Sequence, residues 1–340
     1  MAVDRVDEGD AARRPADTPT VTRAAARGAA RAADTRAADT RAADTRADAP
    51  AKAAAGAPAD ASARPAGAGG ETEVKRLAIA RRLHRVLVDH VYGVARDAWA
   101  EAAPDLRAAW ENHKQRYPQR DRPAPETTAD GSWVAGPRRR LSPEQNAEAS
   151  KACADIADEG RRDILPALKR VESAEPDRRL AGLEHMLKGE ARLKEKVADE
   201  LAAPGLSVRE ALGKVSDAVR YTFTYRPQRY ADGIDTDVER LKAEGFELLK
   251  LKNLWTDEQY KGINSQWRRP ETALRFEVQF HTQESLEAKE VTHGAYERIR
   301  GSITLSERAE LQNFQRHVNA FLVTPEGTEK INDYPEKRNE

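Results

Sequence analysis

Residues 273–282 read ALRFEVQFHT, and this stretch decides the fold class. Leu274, Phe276, Val278 and Phe280 alternate with Arg275, Glu277, Gln279 and His281. One side of an extended chain is then wholly apolar and the other wholly polar, the pattern of a half-buried strand. A solvated sheet face accounts for the polar side as well as a functional face does. Upstream, residues 218–225 read AVRYTFTY, a segment made for burial, with Asp217 immediately before it. Asp217 shares its parity with Val219 and Tyr221 rather than with Arg220, so it belongs at the strand end, where alternation lapses.

Working outward, the pattern predicts strands over 183–188, 218–225, 246–251, 262–268 and 273–282. Helices are predicted over 192–201, 208–215, 235–244, 285–299 and 306–322. Strands alternating with helices make this an α+β unit with a mixed sheet, assigned to residues 179–323. Residues 71–178 read as a helical flank packed on it. Leu77, Ile79, Leu83, Val86, Leu87, Val91, Val94 and Trp99 fall at helical spacing over 74–99, and a second helix is predicted over 104–114. Residues 117–143 read as a loop holding Arg138–Arg140. Ser142-Pro143-Glu144 reads as a helix start, with a serine cap and proline in the first turn. That helix continues toward Val171, with Gly160 and Pro166 as points of interruption. Residues 324–340 are polar and expected to be loose.

Residues 1–70 differ in kind. RAADT repeats three times in tandem over 31–45. A five-residue period advances about 140° per repeat on a helix and builds no continuous face. With no apolar payload to offset chain entropy, a disordered tail is expected.

Across the 340 residues, Lys plus Arg equals Asp plus Glu at 57 each, so charge gives no general case for DNA or a membrane as partner. Cys153 is the only cysteine, which excludes an internal disulfide and a cysteine zinc site. No signal-peptide core and no membrane-spanning apolar run is present in the sequence. A cytoplasmic protein is expected, with export as an effector through a signal-less route left open.

The residues that suggest chemistry are two carboxylates and a set of cations. Asp217 and Glu277, on strands that can be neighbours, supply two hard oxygen ligands. Magnesium prefers few protein oxygens together with substrate phosphates, so two suffice. Lys188, Arg192, Lys194 and Lys196 cluster at the predicted strand-to-helix junction, and Arg220, Lys250 and Lys252 lie on flanking strands. Phosphoryl-type transfer is catalysed mainly by positioning and charge neutralisation, which these cations suit. Tyr260, just before Lys261-Gly262-Ile263-Asn264, offers a ring that stacks a base or simply packs the loop.

The ordered series LKGEARLKEK, DAVRYTF, KLKNLWTDEQYKGINSQW, FEVQFHT and THGAYERIR resembles the RelA/SpoT synthetase family. It looks closest to the single-domain actinobacterial nucleotide 3′-pyrophosphokinases, which include secreted and toxin-associated members. The resemblance covers about residues 183–300. It implies a nucleotidyltransferase-like mixed sheet with flanking helices and magnesium-dependent transfer of pyrophosphate from ATP to the 3′-hydroxyl of a purine nucleotide. By it, Asp217 matches the magnesium-binding aspartate. Glu277 matches the carboxylate that supports metal and acceptor hydroxyl. Lys188 and Lys196 match the lysines on the ATP phosphates, with Arg192 and Arg220 beside them. Tyr260 matches the tyrosine that stacks the acceptor base. Asn264, Gln279, His281 and His293, together with Lys252, fall on the acceptor side. Two positions depart from the family: Met186 stands where an arginine is usual, and Arg192 where a serine is. No counterpart of a hydrolase domain is seen, so the implied enzyme only synthesises. Alternatives are a toxin effector acting on RNA 3′-ends or adenine nucleotides, with an immunity protein as partner, and a nucleotide-binding module impaired in catalysis.

Overall fold

The protein is described by a computed structural model covering residues 68–118, 124–202 and 205–335; the RAADT repeats lie outside these residues. A five-stranded mixed sheet organises the chain. Its strands are β4 (Arg178–Ala181), β5 (Arg220–Tyr225), β6 (Glu247–Asn253), β7 (Ile263–Arg268) and β8 (Arg275–Thr282), in the order β4-β5-β8-β7-β6. β5 and β8 run parallel and every other pair is antiparallel. With the helices on its faces, this is the α+β class with a mixed sheet that the alternation of 273–282 predicts.

The predicted strand 183–188 is a correction. Leu183–His185 form a short 3-10 turn after Gly182, and only a single bridge, Leu187 to Val219, ties the segment to the sheet. The strand lies just before it, where β4 pairs Leu180 with Phe223. Four residues of mixed polarity, RRLA, carry too short a period-two pattern to be seen.

The apolar face of the sheet carries Tyr221, Phe223, Tyr225, Trp267, Phe276, Val278 and Phe280, all buried. Against it pack α3 (Leu165–Ser173), through Ala167, Leu168 and Val171, and α6 (Tyr230–Ala243), through Tyr230, Ile234 and Leu241. The boundary expected near residue 178 therefore runs through the sheet and its core, because α3 supplies one wall of that core. α2 (Pro143–Glu159) starts as predicted, with Ser142 and Gln145 forming a reciprocal capping box. It passes through a π-helical turn, Gly160–Ile164, into α3. The Gly160 carbonyl, which accepts the Leu165 amide within that turn, also accepts the Tyr221 hydroxyl at 2.6 Å.

A second core joins α2, α4 (Glu190–Leu201) and α5 (Val208–Gly213) through Leu193, Val197, Val208 and Leu212. Trp133 and Leu141 close it from a small antiparallel sheet of two-residue strands, β1 (Glu126–Thr127), β2 (Trp133–Val134) and β3 (Arg140–Leu141). The stretch read as loop thus contains structure, too short for any periodicity to report.

The two predicted N-terminal helices are one. α1 runs without a break over Ala68–Arg116, with Pro104 inside it. Proline forfeits one helical hydrogen bond, but Ala103 and Leu106 on either side are packed with Trp99 against Ala288, Val291 and Val318. These belong to α7 (Gln283–Ile299) and α8 (Leu305–Asn319). Gly294 makes this close approach possible: a Cβ there would lie 2.4 Å from the Trp110 ring. The apolar residues of 74–94, expected to pack, are exposed instead; Leu83 retains 65% and Ile79 59% of full exposure.

Residues 325–335, expected to be loose, are docked. Leu251 and Tyr334 exchange both backbone hydrogen bonds, at 2.8 and 2.9 Å. The Asn253 side chain donates to the Thr328 and Ile331 carbonyls at 2.7 and 3.0 Å. Among the described residues no helix is long and apolar enough to cross a membrane.

Candidate active site

The polar face of the sheet is assembled row by row. Arg220 lies opposite Glu277 on the parallel pair, and Glu277 opposite Gln266, which faces Lys250. The next row on that face is Thr222, Gln279, Asn264 and Lys252. Because β5 and β8 are neighbours, Asp217, in the turn three residues before β5, is brought to Glu277 near the start of β8 through their shared partner Arg220.

The two carboxylates are joined by one guanidinium. Arg220 donates from Nε to Glu277 Oε2 at 2.5 Å and reaches Asp217 Oδ2 at 3.5 Å. Asp217 also accepts Lys188 Nζ and Lys196 Nζ, each at 2.6 Å. Lys188 stands at the bridge segment before α4, and Lys196 two turns along that helix. Burial pushes the Asp217 carboxyl up, but the hydrogen bonds and charges of the two lysines override it and hold it at about 2. Burial lowers Lys188, with Asp217 opposing. Four of the residues singled out in the sequence, Lys188, Lys196, Asp217 and Arg220, therefore form one network with Glu277.

The network continues into α7, which crosses this face. Gln279 donates to Glu277 Oε1 at 3.1 Å and accepts Lys289 Nζ at 2.6 Å. Sequence reasoning missed Lys289; the available signal was its place one turn before His293 on the same helix face. Burial, then Arg220, lowers Lys289 to about 8, with Glu277 opposing. The sign of the linked stability follows. Below about 8 the folded chain holds a charge it would rather shed, and this cost is relieved as pH rises toward the ordinary value of 10.5. The wild type is accordingly expected to gain stability relative to Lys289→Met between those two pH values in chemical denaturation. A constant gap would remove Lys289 from the site's electrostatics.

Tyr260 holds the other end. Its hydroxyl donates to Asn264 Oδ1 at 2.8 Å and meets His281 Nε2 at 3.0 Å. His281 Nδ1 in turn meets Ser285 Oγ at 2.9 Å, at the cap of α7. Burial, then Lys289, pushes His281 well down, so its ring is neutral. His281 is fully buried and holds the Tyr260 hydroxyl from beneath. Gly262 permits this. Its φ is 153°, and a Cβ there would lie 2.7 Å from His281 Cε1. Tyr260 as a residue is half-buried, with its hydroxyl end enclosed.

Other expected residues stand apart. Arg192 turns from the carboxylates to Glu195 and Glu297, each at 2.9 Å. Lys194 is buried on Glu190 at 2.7 Å. Lys252 is exposed at the sheet edge beside Asn264. His293 is not among them: although solvent-exposed, it lies one turn past Lys289 on the same face of α7 and senses the site, since partial desolvation lowers it, Glu297 opposes, and Lys289, Arg220 and Lys188 add to the lowering. Met186 is buried in the main core, with its carbonyl accepting the Arg220 amide at 2.7 Å, so no side chain from position 186 enters the site.

No cluster of three or more His, Cys, Asp or Glu able to hold a metal occurs among the described residues. Two carboxylates sharing one arginine, both partly open to solvent, nevertheless fit a magnesium ion that keeps water and takes phosphate oxygens for the rest of its shell.

No family model and no curated protein matches the chain. Similar solved structures include a GTP pyrophosphokinase family protein from Streptococcus pneumoniae, at 12% identity, 52% of this chain, 89% of that chain and TM-score 0.36. Another is small alarmone synthetase 1 from Bacillus subtilis bound to its product pppGpp, at 15% identity, 52% of this chain, 91% of that chain and TM-score 0.37. A third is small alarmone synthetase 2 from Bacillus subtilis, at 12% identity, 55% of this chain, 95% of that chain and TM-score 0.34. The likeness is one of shape over about half of the chain, and the α+β class stands on the strand order described above.

Proposed function

We propose that the chain transfers a pyrophosphoryl group from ATP to the 3′-hydroxyl of a purine nucleotide, with magnesium. The observation that carries this is the pairing of Asp217 and Glu277 through Arg220, with Lys188 and Lys196 already turned onto Asp217. Cations held by a carboxylate are poised to move to a polyphosphate when one arrives, and positioned charge is most of what such a transfer needs. The motif series gives the reading its chemistry. Magnesium, held by Asp217 and Glu277, would supply charge neutralisation at the phosphates. Lys188 and Lys196 bind and orient the ATP phosphates, and Arg220 keeps the two carboxylates apart and aligned. Glu277 takes the proton of the 3′-hydroxyl as its oxygen bonds the β-phosphorus, and the bond to the α-phosphate oxygen breaks to release AMP.

The acceptor side follows from spacing. Asn264 lies opposite Gln279, one two-residue step from Glu277 along the same face, about 7 Å. A base on Tyr260 would leave its ribose near Glu277. Incubation with ATP, magnesium and each purine nucleotide, resolved by anion exchange, should give a product two phosphates richer together with AMP. Retention of nucleotide with no new product would instead mark a binding module.

Tyr260 separates recognition from chemistry. Tyr260→Ala is expected to weaken acceptor use by about 1–3 kcal/mol while ATP affinity holds. Tyr260→Phe should lose less, although it strips His281 Nε2 and Asn264 of a partner. Acceptor titration at saturating ATP measures both, and equal loss for donor and acceptor would defeat the stacking role.

A further inference from the structure

We propose that the exposed apolar face of α1 is where a second copy of this chain docks, with the two α1 helices antiparallel. At 100° per residue, Ile79, Leu83, Val86, Leu87 and Val94 fall within an arc of about 100°, with Val91 about 40° beyond it and the exposed His90 the one polar residue within it between Ile79 and Val94. The face that seats α1 on α7 and α8, through Trp99, Ala103 and Leu106, is centred about 175° away, on the opposite side of the helix. The helix is therefore apolar on two sides, and only one of them is covered. Leu83, Val86 and Ile79 retain 65%, 61% and 59% of full exposure. The stripe offers about 500 Å² per chain, more than isolated surface residues account for. Two such stripes together reach the roughly 1,000 Å² that a specific interface requires.

Charge and composition favour a second copy as the occupant. Arg76 lies on the same arc at one end of the stripe, and Asp97 and Glu101 lie on it at the other; all three are exposed. An antiparallel pair centred near Leu87 sets Arg76 of one copy within a turn of Asp97 and Glu101 of the other. A parallel pair would set Arg76 on Arg76. Because the seated face points away from the stripe, the two bodies project outward and do not collide. The N-terminal stretch of the same chain is a poor alternative, since residues 1–67 hold Val3, Val6 and Val21 as their only branched apolar side chains beyond alanine and Met1 as their only other large one. The proposal is independent of the reaction assigned to the sheet.

Sedimentation equilibrium of the full chain should give a dimer. Leu83→Glu with Leu87→Glu should raise its dissociation constant by on the order of a hundredfold or more at unchanged melting temperature, because both side chains are exposed in the monomer. Arg76→Glu and Glu101→Arg should each weaken the dimer, and together restore it. Leu87→Cys should cross-link on oxidation, with the native Cys153 buried and silent. Ile79→Cys should not, since antiparallel copies hold these positions apart. A wild-type chain that stays monomeric overturns the proposal. So does a monomer that floats with phosphatidylserine vesicles and is released by the paired glutamates, since that assigns the stripe to a membrane surface. Cross-linking at position 79 rather than 87 overturns the antiparallel arrangement.

Discussion

Asp217→Asn is expected to lower turnover with ATP and a purine acceptor by on the order of 10²–10³-fold or more while the fold persists. The substitution keeps the shape of the side chain and removes the charge on which Lys188 and Lys196 converge. Three things are lost together: one of the two carboxylates proposed to hold magnesium, the anchor of both lysines, and one end of the Arg220 bridge. Excess EDTA should reproduce the loss in the wild type, and full turnover under either condition would sink the metal assignment. A second readout separates a damaged fold from a damaged site. The Asp217 carboxyl is held at about 2 against an ordinary 3.8, so its contribution to stability is complete above 3.8 and fades as pH falls toward 2. The difference in melting temperature between wild type and Asp217→Asn should therefore shrink over that acid window and stay constant above it. A difference independent of pH would place the effect outside the ion pairs.

The largest effect on stability is expected at Asp237. Its carboxylate is fully buried on α6 and faces Arg178 Nε at 2.8 Å, the Tyr225 hydroxyl at 2.7 Å and Arg240 at 3.0 Å. Burial pushes the Asp237 carboxyl up despite Tyr225, Arg178 and Arg240, so desolvation outweighs its partners. Asp237→Ala leaves the Arg178 guanidinium buried without its carboxylate and should cost about 3–5 kcal/mol in urea denaturation. Arg178→Met with Asp237→Leu should recover most of that loss, because a buried ion pair is no more stable than well-packed apolar groups of like volume. The pair lies under the apolar face, opposite Glu277, so the double variant should keep its turnover. A double variant as unstable as the single one would show that the pair fixes the join of β4 to α6 rather than merely neutralising itself.

What the sequence made legible, and what it did not, divides along physical lines. β8 and β5 were readable because a half-buried strand writes its two faces as alternation, and Asp217 was placed at a strand end by its parity. β4 was not, since RRLA offers four residues of no clear period and owes its place to pairing with β5. α1 was divided at Pro104 by a local rule that packing on Ala288, Val291 and Val318 overrides. Its apolar spacing announced a helix correctly but could not say which side would be covered. At the site, the carboxylates and Lys188, Lys196 and Arg220 come together as their types and order imply. Arg192 does not, because Glu195 and Glu297 compete for it, and such competition exists only once α4 and α7 are placed. His281 shows the converse: polar by parity, it lies sealed beneath Gly262 and Tyr260.

β6 is one of the two outer strands of the sheet, and an unpaired outer strand invites the backbone of any passing chain. Here the bonds at Leu251 are already taken by Tyr334, and the Asn253 side chain fastens the segment that carries it. The segment around Thr328–Tyr334 thus works as a selvedge, finishing the fabric so that it does not fray into a neighbour's. Removing residues from Thr328 onward would leave the site's own residues in place and yet give a protein that clumps as its concentration rises. The truncation would also open the main core where Ile331 is buried.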